Sequence, residues 1–154
     1  MENLNFYYRM VEECISRLGV DPVSTRGQEE GQWSLVKSYA KVWLDLWNIE
    51  KEGRAYFQVL SPVLKVTDVA PDRKAELCEE LLKINHSLYG VAFTIYNDFV
   101  WIKVIREASG MDSNEAMAMI SRVGTYSDEY DDFLKNKYLP PQPPSAAPTP
   151  PPAS

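Results

Sequence analysis

The chain holds a single histidine, His86, so any Ser-His-Asp or Cys-His catalytic system would have to be built on that residue. Its position at the end of a predicted helix fits a C-terminal cap or a surface residue instead. Paired carboxylates occur at Glu29-Glu30, Glu79-Glu80 and Asp131-Asp132. Such pairs do acid–base work only when they face one another in a desolvated cleft. One pair falls in a loop and two on helix surfaces, where water solvates them. A metal centre needs several converging ligands, and the sequence has no CxxC, no HExxH and no Asp-rich calcium loop. Seven scattered glycines form no phosphate-cradling loop. The two cysteines, Cys14 and Cys78, each fall on the apolar stripe of a predicted helix. Both are expected as buried free thiols, which fits a reducing cytoplasm. These residues predict no catalytic site, no metal and no cofactor, and therefore a protein that is not an enzyme.

The chain around them is of ordinary globular composition, with 154 residues, 45% of them hydrophobic and 25% charged. That suffices for one domain with a core. No apolar run approaches the ~18–20 residues of a membrane span, and the N-terminus lacks the basic and apolar pattern of a signal peptide. The net charge of −6 argues against nucleic acid as the main partner, because phosphate binding needs clustered Lys and Arg. Eight of the eleven prolines fall between Pro140 and Pro152, and every charged residue precedes them. The reading is a domain over residues 1–139 and a disordered, proline-rich tail over 140–154, extended as polyproline II. Its two PxxP spacings lack flanking Arg or Lys, so the tail reads first as a spacer and second as a recognised proline motif.

Leu4, Tyr7, Val11, Ile15 and Leu18 recur at spacings of three and four, marking an amphipathic helix from Asn3 to Leu18 that Gly19 stops. Residues 21–32 show no periodicity and read as a loop. Three strands come next, in Trp33–Lys37, Lys41–Trp47 and Ala55–Leu60, joined as an antiparallel meander with a turn at Glu50–Gly53. Ser61-Pro62 marks an edge or a bulge, since proline donates nothing to a ladder. Pro71 opens a second helix with Leu77, Leu81, Ile84 and Leu88 on one stripe. Val91–Tyr96 and Phe99–Arg106 form a hairpin about Asn97-Asp98. Asp112 and Glu115 have the spacing of a capping box that starts a last helix toward Tyr138, with Gly124 as a weak point. The order α-β-β-β-α-β-β-α predicts an α+β domain, a single five-stranded antiparallel sheet with helices on one face.

Alternation divides each strand between two faces. Val42, Leu44, Leu46, Phe57, Val59, Val91, Phe93 and Ile95 should meet the helices. The opposite set mixes Lys41, Asp45, Gln58 and Thr94 with Trp43, Trp47, Tyr56, Leu60 and Tyr96. Trp101 is not assigned, because both sides of its strand are apolar. Aromatics gathered on a solvent-facing surface mark an interface. Three readings are open: a helix or a terminus folding over this face, a homodimer contact, or a polypeptide-binding surface. Base stacking is a fourth use of such a platform, and the acidic balance argues against it. Trp43, Trp47, Tyr56, Leu60 and Tyr96 are the candidate protein-binding or dimer residues. The cluster Asp128–Asp132 is expected as an acidic helix face that helps select partners.

The element order resembles the YbjN family, whose fold is similar to that of the class I chaperones of type III secretion. The stretches that carry the resemblance are Tyr56-Phe57-Gln58-Val59-Leu60-Ser61-Pro62, Leu81-Leu82-Lys83-Ile84-Asn85, Phe93-Thr94-Ile95-Tyr96-Asn97-Asp98-Phe99-Val100 and Ser127-Asp128-Glu129-Tyr130-Asp131-Asp132-Phe133-Leu134. They belong to a pattern over roughly residues 1–138, and none is a catalytic signature. The resemblance implies a bacterial, cytoplasmic, non-enzymatic protein that forms homodimers and binds an unidentified partner polypeptide in extended form. It therefore implies a chaperone-like adaptor. The alternative is a small-molecule-responsive regulatory protein with a pocket between sheet and helices.

Overall fold

The computed structural model describes residues 3–37 and 39–141. Helix α1 spans Leu4–Arg17, and Asn3 caps it by accepting the Asn5 N–H at 3.0 Å. A short helix α2, Pro22–Thr25, interrupts the segment expected to be a loop throughout. Its signal is local, with Asp21 as N-cap and Pro22 in the first turn, and it is too short to show periodicity. The strands are β1 Gln32–Lys37, β2 Ala40–Ile49, β3 Arg54–Lys65, β4 Ala92–Tyr96 and β5 Phe99–Glu107. Two 3-10 turns, Val66–Asp68 and Pro71–Arg73, lead from β3 into helix α3, Lys74–Asn85. Helix α4, Ser113–Tyr138, closes the domain.

All five strands form one antiparallel sheet in the order β1-β2-β3-β5-β4. The β4–β5 hairpin turns on Asn97 and Asp98, both at positive φ (47° and 65°), the left-handed pair that a two-residue hairpin turn requires. Pro62 lies inside a central strand, where its missing N–H is tolerated because the β3–β5 register slips between Pro62 and Leu64. The expected irregularity is thus a bulge and not an edge.

Helices α1 and α4 pack on one face of the sheet, and α3 packs beside β4. Between them lie Val11, Ile15, Val42, Leu44, Phe57, Val59, Leu77, Ile102, Ile120 and Leu134, all fully buried. Fully burying each such side chain contributes about 1.5–3 kcal/mol. Within this core the Ser61 hydroxyl donates to the Lys41 carbonyl at 2.5 Å and lies 2.7 Å from the Ser127 hydroxyl.

Three further expectations are corrected. Cys14 is buried, but Cys78 is exposed, because α3 sits at the rim and seats only Leu77 and Leu81 fully. Ile95 has the parity of the core face yet is 47% exposed, since it stands near the turn end of an outermost strand. Gly124 does not break α4, which runs through it for 26 residues with both halves of the Asp112–Glu115 capping box in place. Gly124 is instead a site of close approach: a Cβ there would stand 2.8 Å from Cδ of Lys37. The ammonium of Lys37 in turn donates to the Ser121 carbonyl at 3.4 Å. The proline-rich segment lies outside the described residues from Gln142 onward.

Candidate functional site

The strand register brings the outer-face residues together in rows. Trp43 stands opposite Leu60, Asp45 opposite Gln58, and Trp47 opposite Tyr56. On the far side of β3, Leu60 faces Lys103 and Pro62 faces Trp101. Trp101 stands opposite Thr94 on β4, which places it on the outer face. That assignment was within reach of the sequence, because a two-residue turn at Asn97-Asp98 fixes Tyr96 against Phe99 and hence Thr94 against Trp101.

Two aromatic clusters result. In the first, the rings of Trp43 and Trp101 lie 5.3 Å apart, Phe99 lies 6.1 Å from Trp101, and Leu60 stands beside Trp43 in register. The Trp101 indole N–H donates to the Tyr96 carbonyl at 2.8 Å, so its polar edge is satisfied and its ring stays on the surface. Tyr96 itself is 69% exposed at the end of β4 and extends this cluster at the rim. In the second, the rings of Trp47 and Tyr56 lie 6.5 Å apart, and the Tyr56 hydroxyl donates to Glu52 at 2.5 Å. That bond raises the Tyr56 phenol above its ordinary pKa. Gln58 donates to Asp45 at 3.1 Å between the clusters. Four residue steps along β2 separate Trp43 from Trp47, about 13 Å along the sheet. Of the five candidate residues, Trp43 and Leu60 thus stand with Trp101, Tyr96 meets Trp101 through its backbone carbonyl, and Trp47 and Tyr56 form a separate pair. Sequence reasoning missed Phe99 and left Trp101 open.

Both edges of the sheet are blunted from within the chain. On β4, the Phe93 N–H donates to the Asn85 side-chain oxygen at 2.6 Å, and the Asn85 amide donates back to the Phe93 carbonyl at 3.3 Å. A side chain thus takes the place of a neighbouring strand. On β1, Arg26 bridges Trp33 and the Gly27 N–H donates to the Gln32 carbonyl at 2.8 Å. The 26–33 segment is held to α1 by Glu12, which accepts from Arg26 at 2.7 and 2.9 Å and from the Trp33 indole at 3.2 Å. The Arg26 hydrogen bond, outweighing partial burial, holds the Glu12 carboxyl below its ordinary pKa. Gly31 is required where this segment meets the sheet, since its φ is +85° and a Cβ would fall 2.3 Å from the Leu46 carbonyl oxygen.

Between α1 and this segment is a cleft of about 540 Å³ lined by Tyr8, Arg9, Glu12, Arg26 and Glu30. It opens at the rim of the molecule. A shallower groove of about 390 Å³ runs on the outer face between Trp43, Leu60, Trp101 and the edge at Ser34.

The residues that could do chemistry stand apart. His86 is the C-cap of α3. Glu80 accepts from Lys137 at 2.7 Å and from the Tyr138 hydroxyl, and so ties α3 to the last turn of α4. Burial pushes the Glu80 carboxyl up, but these two donors outweigh it and leave the pKa lowered; burial and the same contact push the Tyr138 phenol up. Among the described residues no group of three or more His, Cys, Asp or Glu side chains could hold a metal ion. Among them, too, no helix is long and apolar enough to cross a membrane.

A single antiparallel sheet with helices on one face makes an α+β domain, and its fold is like that of type III secretion chaperones. A chain of the ExsC-ExsE complex superposes with a TM-score of 0.65 at 14% identity, over 87% of this chain and 97% of that one. A chain of the HopA1-SchA chaperone-effector complex superposes with a TM-score of 0.58 at 8% identity, over 86% and 99%. No curated protein sequence matches. The sequence model of the YbjN family, described as "Putative bacterial sensory transduction regulator", matches residues 8–136, and the chain belongs to that family.

Proposed function

We propose that this protein is a chaperone-like adaptor that homodimerises and holds a partner polypeptide against the outer face of its sheet, with no catalytic step of its own. The observation that carries this reading is the outer face itself. Trp43, Trp101, Phe99 and Leu60 are gathered there by register, away from the helices, while each sheet edge is capped at one place from within the chain, at Phe93 on β4 and at Trp33 on β1. Buried Trp and Tyr anchors supply most of the energy of protein interfaces. The two clusters, about 13 Å apart along the strands, suit an extended segment with apolar residues four positions apart. The likeness in fold to a chain of the ExsC-ExsE complex and to one of the HopA1-SchA chaperone-effector complex supports the same reading. Three exposed large hydrophobics, Leu82 on α3, Tyr89 in the loop after it and Ile95 on β4, support pairing of two copies on that side of the domain.

The test is affinity purification of the full chain from its own cells, with retained polypeptides identified by mass spectrometry. A dominant partner that Trp43→Asp loses supports the adaptor. Recovery of the protein alone would leave self-association as the use of this face and would favour a small-molecule regulator, for which the cleft beside Arg26 is the place to look.

A further inference from the structure

Lysines surround the first aromatic cluster. Trp43, Leu60 and Lys103 form one row across β2, β3 and β5. Lys41 lies two residues before Trp43, and Trp101 two residues before Lys103. Because β2 and β5 both run antiparallel to β3, Lys41 and Trp101 stand level on the same side of that row. The two indoles therefore occupy one diagonal of a four-cornered patch and the two lysines the other. Lys65 stands opposite Phe99 and so adds a third ammonium on the same face.

The carboxylates of this face are already engaged. Asp45 accepts from Gln58 at 3.1 Å, and Glu107, in register with Tyr56 beside the second cluster, pairs with Arg54 at 2.8 Å. Among the described residues, none of the side chains of Lys41, Lys65 and Lys103 has an ion pair or hydrogen bond. A chain of net charge −6 thus presents unpaired positive charge where its aromatic rings are gathered.

Same-side residues of an extended segment stand about 7 Å apart, which is also the step from Lys41 to Trp43 and from Trp101 to Lys103. A carboxylate two positions from a large apolar side chain can therefore meet a lysine while its neighbour covers an indole. A nucleic-acid strand suits the patch less well. It carries charge on every phosphate, and the acidic remainder of the chain repels it.

We infer that the polypeptide held on the outer face is acidic, an extended segment in which Asp or Glu stands two positions from a large apolar residue. Its apolar side chains seat on Trp43, Leu60 and Trp101, and its carboxylates meet Lys41, Lys65 and Lys103. This rests on the outer face being a docking surface.

The test uses the full chain and three fluorescein-labelled synthetic peptides, repeats of Phe-Ser-Glu-Ser, Phe-Ser-Gln-Ser and Phe-Ser-Lys-Ser, with binding read by fluorescence anisotropy. The expected order is Glu, then Gln, then Lys, with the Glu peptide about tenfold tighter than the Gln peptide at low salt and the gap closing as salt is added. Exchanging both Lys41→Glu and Lys103→Glu should reverse the order, and Trp43→Asp should weaken all three peptides. Lys65→Glu, at an exposed strand end, repeats the reversal test if the double variant does not fold. Equal affinity for the Glu and Gln peptides, binding of none, or an order unmoved by the lysine exchanges would overturn the inference. So would a Glu preference that Trp43→Asp leaves intact, which would put the acidic peptide off this face. Oligothymidylate bound as tightly as the Glu peptide would overturn it too, in favour of a base-stacking platform. Failure here leaves the docking reading standing if Trp43→Asp still loses a partner from native cells. A native partner that Trp43→Asp keeps would sink the docking reading and this inference with it.

Discussion

Residues 56 to 60 of β3 alternate between two surfaces that differ in what packs against them. Phe57 and Val59 are fully buried under α4, whereas Tyr56, Gln58 and Leu60 are partly exposed on a face that the helices leave open. Both sets are rich in large side chains, so hydrophobicity alone does not separate them. The difference is in the neighbours. The core side meets helices and carries one internally satisfied polar pair, Ser61 with Ser127. The outer side meets no helix but other strand residues and the β2–β3 turn, and its rings lie tilted against one another, with the polar edges of Trp101 and Tyr56 bonded to Tyr96 and Glu52. One face holds the domain together, and the other is the face on which the proposed partner docks.

The largest expected effect falls on the core side. Phe57→Ala should lose about 3–5 kcal/mol in urea unfolding, because it removes a fully buried ring beneath a helix. Next comes Ser61→Ala, which strips the Lys41 carbonyl and the Ser127 hydroxyl of a partner at a buried site. It should cost about 1–3 kcal/mol by the same measurement. On the outer side, Trp101→Ala should shift the unfolding midpoint less than Phe57→Ala; an equal shift would erase the contrast between the faces. The proposed pairing at the α3 rim predicts that Leu82→Glu leaves the midpoint near wild type and sediments as a monomer where the wild type sediments as a dimer. An unchanged sedimentation coefficient would remove that rim from the dimer. The smallest effect concerns pH. The Glu12 carboxyl is held below its ordinary pKa, so its contribution is present above the unfolded pKa of about 4.3 and is lost as pH falls through the folded value. Amide exchange in residues 26–33 should therefore quicken relative to the β2–β3 amides on acidification, and Arg26→Gln should remove that dependence.

Much of the sheet was legible because its period is two and its turns have fixed chemistry. The alternation in Lys41–Trp47 assigned both faces of β2, Asn97-Asp98 fixed the hairpin, and Asp112 with Glu115 marked the start of α4. What escaped depends on contacts distant in sequence. Cys78 has the helical spacing of a core residue, but α3 buries too narrow a stripe at the rim to cover it. Gly124 has the residue type of a helix breaker, and its actual role depends on the stem of Lys37, far away in the chain, that packs against it. Ile95 shows that parity gives the side of a strand without telling whether anything lies over it. The aromatic character of the outer face is legible in composition and its membership only in part, since Trp101 and Phe99 join Trp43 through register alone.

The most direct measurement compares the full chain with its Trp43→Asp variant, taking partner retention from native cells and the urea midpoint on the same preparations. The adaptor reading predicts a polypeptide bound by the wild type and lost by the variant, with stability changed by no more than about 1 kcal/mol. A variant that unfolds would place Trp43 in the core, and one that folds and keeps its partner would place the docking surface elsewhere.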